Sequence, residues 1–162
     1  MIKSLFKKKD KIIEITSPLT GELVELEDVP DQVFSQKMMG DGFAIKPTDR
    51  KVVSPIDGEV FDIFQTKHAI SLKSKEGLEV LIHMGLETVA LNGEGFDIKV
   101  SKGQKITKGT ELADFDLDKM KELDVKTITP VIFTNSDDFE VQEKQTGQVS
   151  VGQENVVTVA SK

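Results

Sequence analysis

The stretch Thr66–Gly85, TKHAISLKSKEGLEVLIHMG, holds both histidines of the chain, His68 and His83, and its reading decides the fold class. Ala69–Leu72 and Leu78–Met84 are short and apolar, and the polar segment SKEG (Ser74–Gly77) separates them. Two such runs around a polar segment ending in glycine predict a β-hairpin. If Lys73 pairs with Leu78, His68 falls directly opposite His83, where Cβ atoms of an antiparallel pair lie about 4.5–5.5 Å apart. In that register Thr66 shares the face of His68, Ile70 pairs with Leu81, and Gly85 faces Thr66. The hairpin therefore predicts two imidazoles and a hydroxyl inside an aliphatic rim.

The rest of the chain repeats the strand signal. Glu22–Leu26, Lys51–Ser54, Glu59–Phe64 and Val156–Ala160 are short, rich in Val, Ile, Leu and Phe, and bounded by glycine- and proline-bearing turns. Only Pro30–Lys37 and Asp116–Leu123 look helical, and both are short. SPLTGELV (Ser17–Val24) returns as SPIDGEVF (Ser54–Phe61), a turn followed each time by an apolar strand, and Gly103 and Gly109 mark a related pattern. The expected fold is all-β, an antiparallel β-sandwich or flattened barrel with one or two short helical turns. Residues 1–14 are expected to form a basic, flexible tail and residues 15–162 a single domain.

Composition removes several function classes. There is no cysteine, so disulfides, thiol chemistry and cysteine-ligated metals are out. The formal net charge of −7 argues against a general nucleic-acid binder and suits a basic protein partner. No apolar run approaches the ~18 residues of a membrane span, and Lys7–Lys9 are not followed by the apolar core of a signal peptide. A cytoplasmic location is expected. The terminus MIKSLFKKKDK, with Ile2, Leu5 and Phe6 beside its lysines, reads as a solvated tail capable at most of weak membrane contact. Met1 reads as an initiator, which favours a free-standing protein over one module of a permease.

Three readings of the histidine pair compete. Two strand histidines with hydrogen-bonded rings are the plainest. A zinc site needs a third or fourth ligand, supplied by Glu87 or by a partner. The third is phosphoryl transfer: an imidazole with a pKa near ~6.5 is largely neutral and nucleophilic at neutral pH. In that reading the second ring donates an N–H to the phosphoryl oxygens, Thr66 holds its tautomer, and the apolar rim keeps water from the labile N–P bond.

VLIHMGLETVALNGEGF (Val80–Phe96) resembles the active-site signature of the glucose-family enzyme IIA components of the bacterial sugar phosphotransferase system. The resemblance extends to Ser17–Pro47, SPIDGEV (Ser54–Val60), TKHAI (Thr66–Ile70) and TPVIFTN (Thr129–Asn135), nearly all of residues 15–160. It implies that His83 is the phosphorylated nucleophile, that His68 stabilises the phosphoryl group and is needed to pass it on, and that Thr66 orients His68. It implies a partner-docking surface of Val33, Phe34, Met38, Met39, Phe64, Leu81 and Glu87. Glu87 falls where some relatives carry aspartate, and Leu81 where some carry an aromatic. The implied partners are the histidine-containing phosphocarrier protein HPr as donor, a cysteine of a sugar-specific IIB domain as acceptor, and regulatory cytoplasmic proteins. No cofactor is implied, although His68 and His83 can share a zinc ion when a partner adds a ligand. The chain has no G-x-x-x-x-G-K-[ST] loop, in keeping with a phosphoprotein donor.

Two other classes fit less of the chain. A biotinyl or lipoyl carrier needs a lysine at a hairpin tip, and the nearest triplet, Lys119–Met120–Lys121, lies in the second helical stretch. A zinc endopeptidase on a similar scaffold needs a further histidine pair, and the chain has no third histidine. Gly93 and Gly95 are expected to make a turn rather than a phosphate cradle.

Overall fold

The computed structural model describes residues 11–162. Fourteen strands run in the order β1 (Ile12–Ile15), β2 (Gly21–Glu25), β3 (Asp41–Pro47), β4 (Lys51–Val53), β5 (Gly58–Ile63), β6 (Ala69–Ser74), β7 (Glu79–His83), β8 (Phe96–Ile98), β9 (Lys105–Ile106), β10 (Glu111–Phe115), β11 (Thr129–Phe133), β12 (Phe139–Lys144), β13 (Gly147–Val149) and β14 (Val157–Ser161). Helix α1 is Gln32–Ser35 and α2 is Leu117–Glu122, with 3₁₀ turns at Leu26–Asp28 and Thr88–Leu91. β1 starts inside the segment expected to be tail, because Ile13 and Ile15 alternate inward and pair with β14. The remaining tail residues, 1–10, and with them the weak membrane contact, lie outside the described residues.

Eight strands form one open antiparallel sheet in the order β13-β2-β3-β11-β7-β6-β5-β9. Two three-stranded sheets, β1-β14-β12 and β4-β10-β8, complete the architecture. Ile15 and Val159, Phe115 and Phe96, and Phe43, Phe133, Val80 and Ile82 come from these three sheets and join in one buried cluster. The all-β expectation holds, as a sandwich whose sheets stay open.

The repeated corners are a structural pair. Ser17 and Ser54 are fully buried, and each hydroxyl donates to the carbonyl two residues on, at Leu19 and Ile56, over 2.7 Å. The corners also bond to each other, Thr16 N–H to Pro55 O and Val53 N–H to Pro18 O. Both expected helices are present and shorter: Asp31 caps α1 and Asp116 caps α2, each side chain accepting a backbone N–H. Met120 turns into the core, which leaves Lys119 and Lys121 on a helix edge. Gly93 and Gly95 lie in a turn with positive φ.

The eight-stranded sheet is apolar on both faces. Residues of one face, among them Leu23, Phe43, Val131, Ile82 and Ile70, enter the main core. Their alternates Val24, Ala44, Ile132, Leu81 and Ala69, one each from β2, β3, β11, β7 and β6, enter a second, smaller cluster. Leu26, Val29, Phe34, Leu86 and Ile128 cover that second face as a cap.

Candidate functional site

The site sits at the rim of this cap. Strand alternation sends Val80, Ile82 and Met84 into the main core and leaves Leu81 and His83 facing the cap. His83, the last residue of β7, is half-buried there, with its ring centroid 5.0 Å from that of Phe34.

The hairpin register differs from the expected one. Ala69, not His68, is the partner of His83; Ile70 pairs with Ile82, and Lys73 with Glu79. The cause lies at the hairpin tip. Ser74 and Leu78 close the loop through Ser74 N–H to Leu78 O, which leaves Lys75, Glu76 and Gly77 as a three-residue connection. Gly77 has φ +95°, the positive-φ residue such a loop takes in place of an even-numbered turn.

A shift of one residue reverses the face of every side chain on a strand. His68 nevertheless reaches His83, because it lies just before β6. Lys67, at φ +61°, turns the chain there, and the His68 carbonyl accepts the Met84 N–H at 2.8 Å. The imidazole centroids stand 4.8 Å apart with an interplanar angle of 79°. The convergence is real, and it comes from the turn that enters β6 rather than from direct cross-strand pairing.

Two hydrogen bonds orient the rings. His83 Nδ1 lies 2.8 Å from the Gly85 carbonyl. A carbonyl only accepts, so Nδ1 carries the proton and Nε2 carries the lone pair. His68 Nδ1 lies 2.6 Å from Thr66 Oγ1. When that hydroxyl donates, His68 Nε2 bears the proton and is a donor.

Both rings favour the neutral state. Burial pushes the His68 imidazole down to about 4, and the neighbouring His83 adds to the fall. His68 is only 4% exposed. His83 is lowered by burial too, against the opposing pull of the Gly85 carbonyl and the Asp31 carboxylate. At neutral pH the pair is therefore two uncharged imidazoles, one with a basic nitrogen and one able to donate.

Several of the expected docking residues are exposed apolar side chains. Val33, Met38, Met39 and Phe64 are open to solvent, and the Phe64 ring meets His68 edge-on at 5.5 Å. Phe34 is buried and touches the site through its ring contact with His83. Leu81 does not belong to that surface. It shares the face of His83 on β7, but the cap of Leu26, Val29, Phe34, Leu86 and Ile128 covers it, and at 4% exposure it lies under the cap. Glu87 is exposed, in left-handed conformation at φ +58°. Among the described residues no three His, Cys, Asp or Glu side chains are grouped to hold a metal, so Glu87 does not complete a zinc site with the histidines.

Spacing alone does not single out Asp31, whose carboxylate caps α1 and acts on His83, nor the Gly85 carbonyl. The usable signals are the helix-capping aspartate before Gln32 and a glycine two residues beyond a strand-end histidine.

These features define a small β-sandwich that presents a neutral imidazole pair at an exposed apolar rim. Residues 13–154 match the family described as phosphoenolpyruvate-dependent sugar phosphotransferase system, EIIA 1. The chain is 51% identical over 146 residues to a glucose-specific EIIA component of Halalkalibacterium halodurans, covering 90% of this chain and 84% of that protein. It is 48% identical over 160 residues to one from Staphylococcus aureus, covering 97% and 92%. The solved glucose permease IIA of Mycoplasma capricolum superposes with a TM-score of 0.85 at 35% identity, covering 91% of this chain and 96% of that one. The chain belongs to this EIIA family of the sugar phosphotransferase system. Among the described residues no helix is long and apolar enough to cross a membrane.

Proposed function

We propose that the protein is the glucose-type phosphocarrier of its phosphotransferase system, taking a phosphoryl group from the phosphohistidine of HPr onto His83 Nε2 and passing it to a cysteine of a IIB domain. The observation that carries this reading is the commitment of His83 Nδ1 to the Gly85 carbonyl beside a second imidazole 4.8 Å away. His83 Nε2 attacks phosphorus in line while the donor N–P bond breaks and its electron pair returns to the donor ring. The Nδ1 proton stays on His83, and the carbonyl stabilises the positive charge the ring gains. His68 Nε2–H donates to the phosphoryl oxygens, with Thr66 fixing the ring. Phe34, Phe64, Val33, Met38 and Met39 exclude water and receive the partners, which include regulatory proteins, and the cycle runs in the cytoplasm. The family match and the glucose-specific relatives support the assignment.

The test is phosphate uptake. Incubated with phosphoenolpyruvate, enzyme I and HPr, the protein takes up one acid-labile phosphate, and His83→Ala takes up none. His68→Ala accepts phosphate but does not deliver it to a IIB domain; normal delivery by that variant refutes the role given to His68.

A further inference from the structure

The loop after His83 contains a buried hydroxyl that the transfer scheme leaves unused. Thr88 is fully buried, and its Oγ1 donates to the Met84 carbonyl at 2.7 Å. The Met84 N–H donates to the His68 carbonyl at 2.8 Å. The residue that follows His83 is thus held on one side by the backbone of His68 and on the other by Thr88.

Next comes Gly85, at φ +78°, whose carbonyl accepts the hydrogen bond from His83 Nδ1–H. With no side chain of its own, Gly85 has few internal restraints on where that carbonyl points. The restraints come from its neighbours. The Leu86 N–H, on the far edge of the same peptide, donates to the Lys126 carbonyl at 3.0 Å. The Thr88 methyl lies 2.8 Å from where a Cβ on Gly85 would stand, so it packs into the space the glycine leaves.

We propose that Thr88 is a positioning residue for His83: its hydroxyl on the Met84 carbonyl and its methyl against Gly85 hold the Gly85 carbonyl where it keeps the proton on Nδ1 and the lone pair on Nε2. Removal of the hydroxyl leaves the Met84 carbonyl without this donor and loosens the Met84–Gly85 peptide. The His83 proton then distributes between the two ring nitrogens, and the fraction with a nucleophilic Nε2 falls. The effect on rate rests on the phosphotransfer reading; the effect on the tautomer does not.

The experiment compares Thr88→Val, which keeps the shape and removes the hydroxyl, with Thr88→Ser, which keeps the hydroxyl. Nitrogen-15 spectra of the His83 ring above pH 7 should show a proton fixed on Nδ1 in the wild type and in Thr88→Ser, and an exchange-averaged pair of nitrogens in Thr88→Val. Phosphate uptake from phosphorylated HPr should slow about tenfold in kcat for Thr88→Val, the loss of one buried hydrogen bond, with KM for the donor unchanged. Thr88→Ser should recover most of that rate. In the wild-type protein the Thr88 hydroxyl proton should be protected from exchange, a measurement that stands if Thr88→Val does not fold. A Thr88→Val protein with an unchanged Nδ1–H tautomer, or a freely exchanging hydroxyl in the wild type, overturns the proposal. Wild-type protein that takes up no phosphate while its tautomer depends on Thr88 overturns the phosphotransfer reading and leaves the positioning role intact.

Discussion

The two faces of β7 are built to different ends. On one, Val80, Ile82 and Met84 are fully buried in a cluster that draws on all three sheets. On the other, Leu81 lies under a small cap and His83 emerges at its rim beside the rings of Phe34 and His68. Each fully buried aliphatic side chain contributes about 1.5–3 kcal/mol by leaving water, so the first face dominates stability. That frees the second face to hold two imidazoles in a setting that is apolar yet open. A strand is thereby both a core element and a mount for chemistry, with the division made by alternation alone.

The sharpest way to break the comparison is to truncate adjacent residues on opposite faces. His83→Ala should abolish phosphate uptake and leave the melting temperature nearly unchanged. Ile82→Ala should cost about 2–5 kcal/mol in urea denaturation and leave uptake per folded molecule intact. If Ile82→Ala abolishes uptake by its folded fraction, the division between the faces is lost.

Acid offers a second handle. In the unfolded chain His68 titrates near ~6.5, whereas in the folded protein it is lowered to about 4. The unfolded state therefore holds the proton more tightly. The contribution of the neutral ring is complete above pH ~6.5 and is lost as pH falls toward about 4, a change of roughly 3 kcal/mol for His68. His83, also lowered, acts in the same direction. Denaturation between pH 7 and 4 should show this loss, and His68→Gln should flatten it; an equally steep profile in that variant contradicts the assignment.

Gly85→Ala should affect both properties at once. Its Cβ would lie 2.8 Å from the Lys126 carbonyl and from the Thr88 methyl, at φ +78°. A loss of about 1–3 kcal/mol is expected in denaturation, with slowed phosphate uptake. The smallest effect on stability is expected at the rim. Met38→Ser, at a side chain 69% exposed, should change stability by less than ~0.5 kcal/mol while raising KM for phosphorylated HPr several-fold.

Much of this was legible in the sequence. The all-β class, the turn of Gly93 and Gly95, the inward Met120 and the paired corners at Ser17 and Ser54 all follow from local patterns that the structure retains. β3 and β11 are harder to read. β11 is a central strand that carries Pro130 opposite Ala44, against the usual exclusion of proline from sheet interiors. It is buried along its whole length, so period-two alternation is absent. Gly42 faces it so closely that an added Cβ would strike the Val131 carbonyl, a constraint visible only with both strands in place.

The site shows the same limit. The composition of the hairpin pointed to a histidine pair, and the pair exists. The route to it turned on one residue, Gly77, which makes the loop odd-numbered, and on Lys67, which reorients His68 outside the strand. Neither loop parity nor a left-handed lysine is encoded in hydrophobic pattern. Leu81 is buried for a different reason: it shares the face of His83, but a cap built from distant segments covers it, and strand pattern does not reveal that cap.

The oxygen that accepts the hydrogen bond from His83 Nδ1–H belongs to a peptide group rather than to a carboxylate. An aspartate in that place would itself gain and lose protons, and would add a fixed negative charge behind the ring. A main-chain amide has no ionisation of its own across the physiological range. Acidification of the surroundings thus leaves this acceptor of the ring's hydrogen bond unchanged.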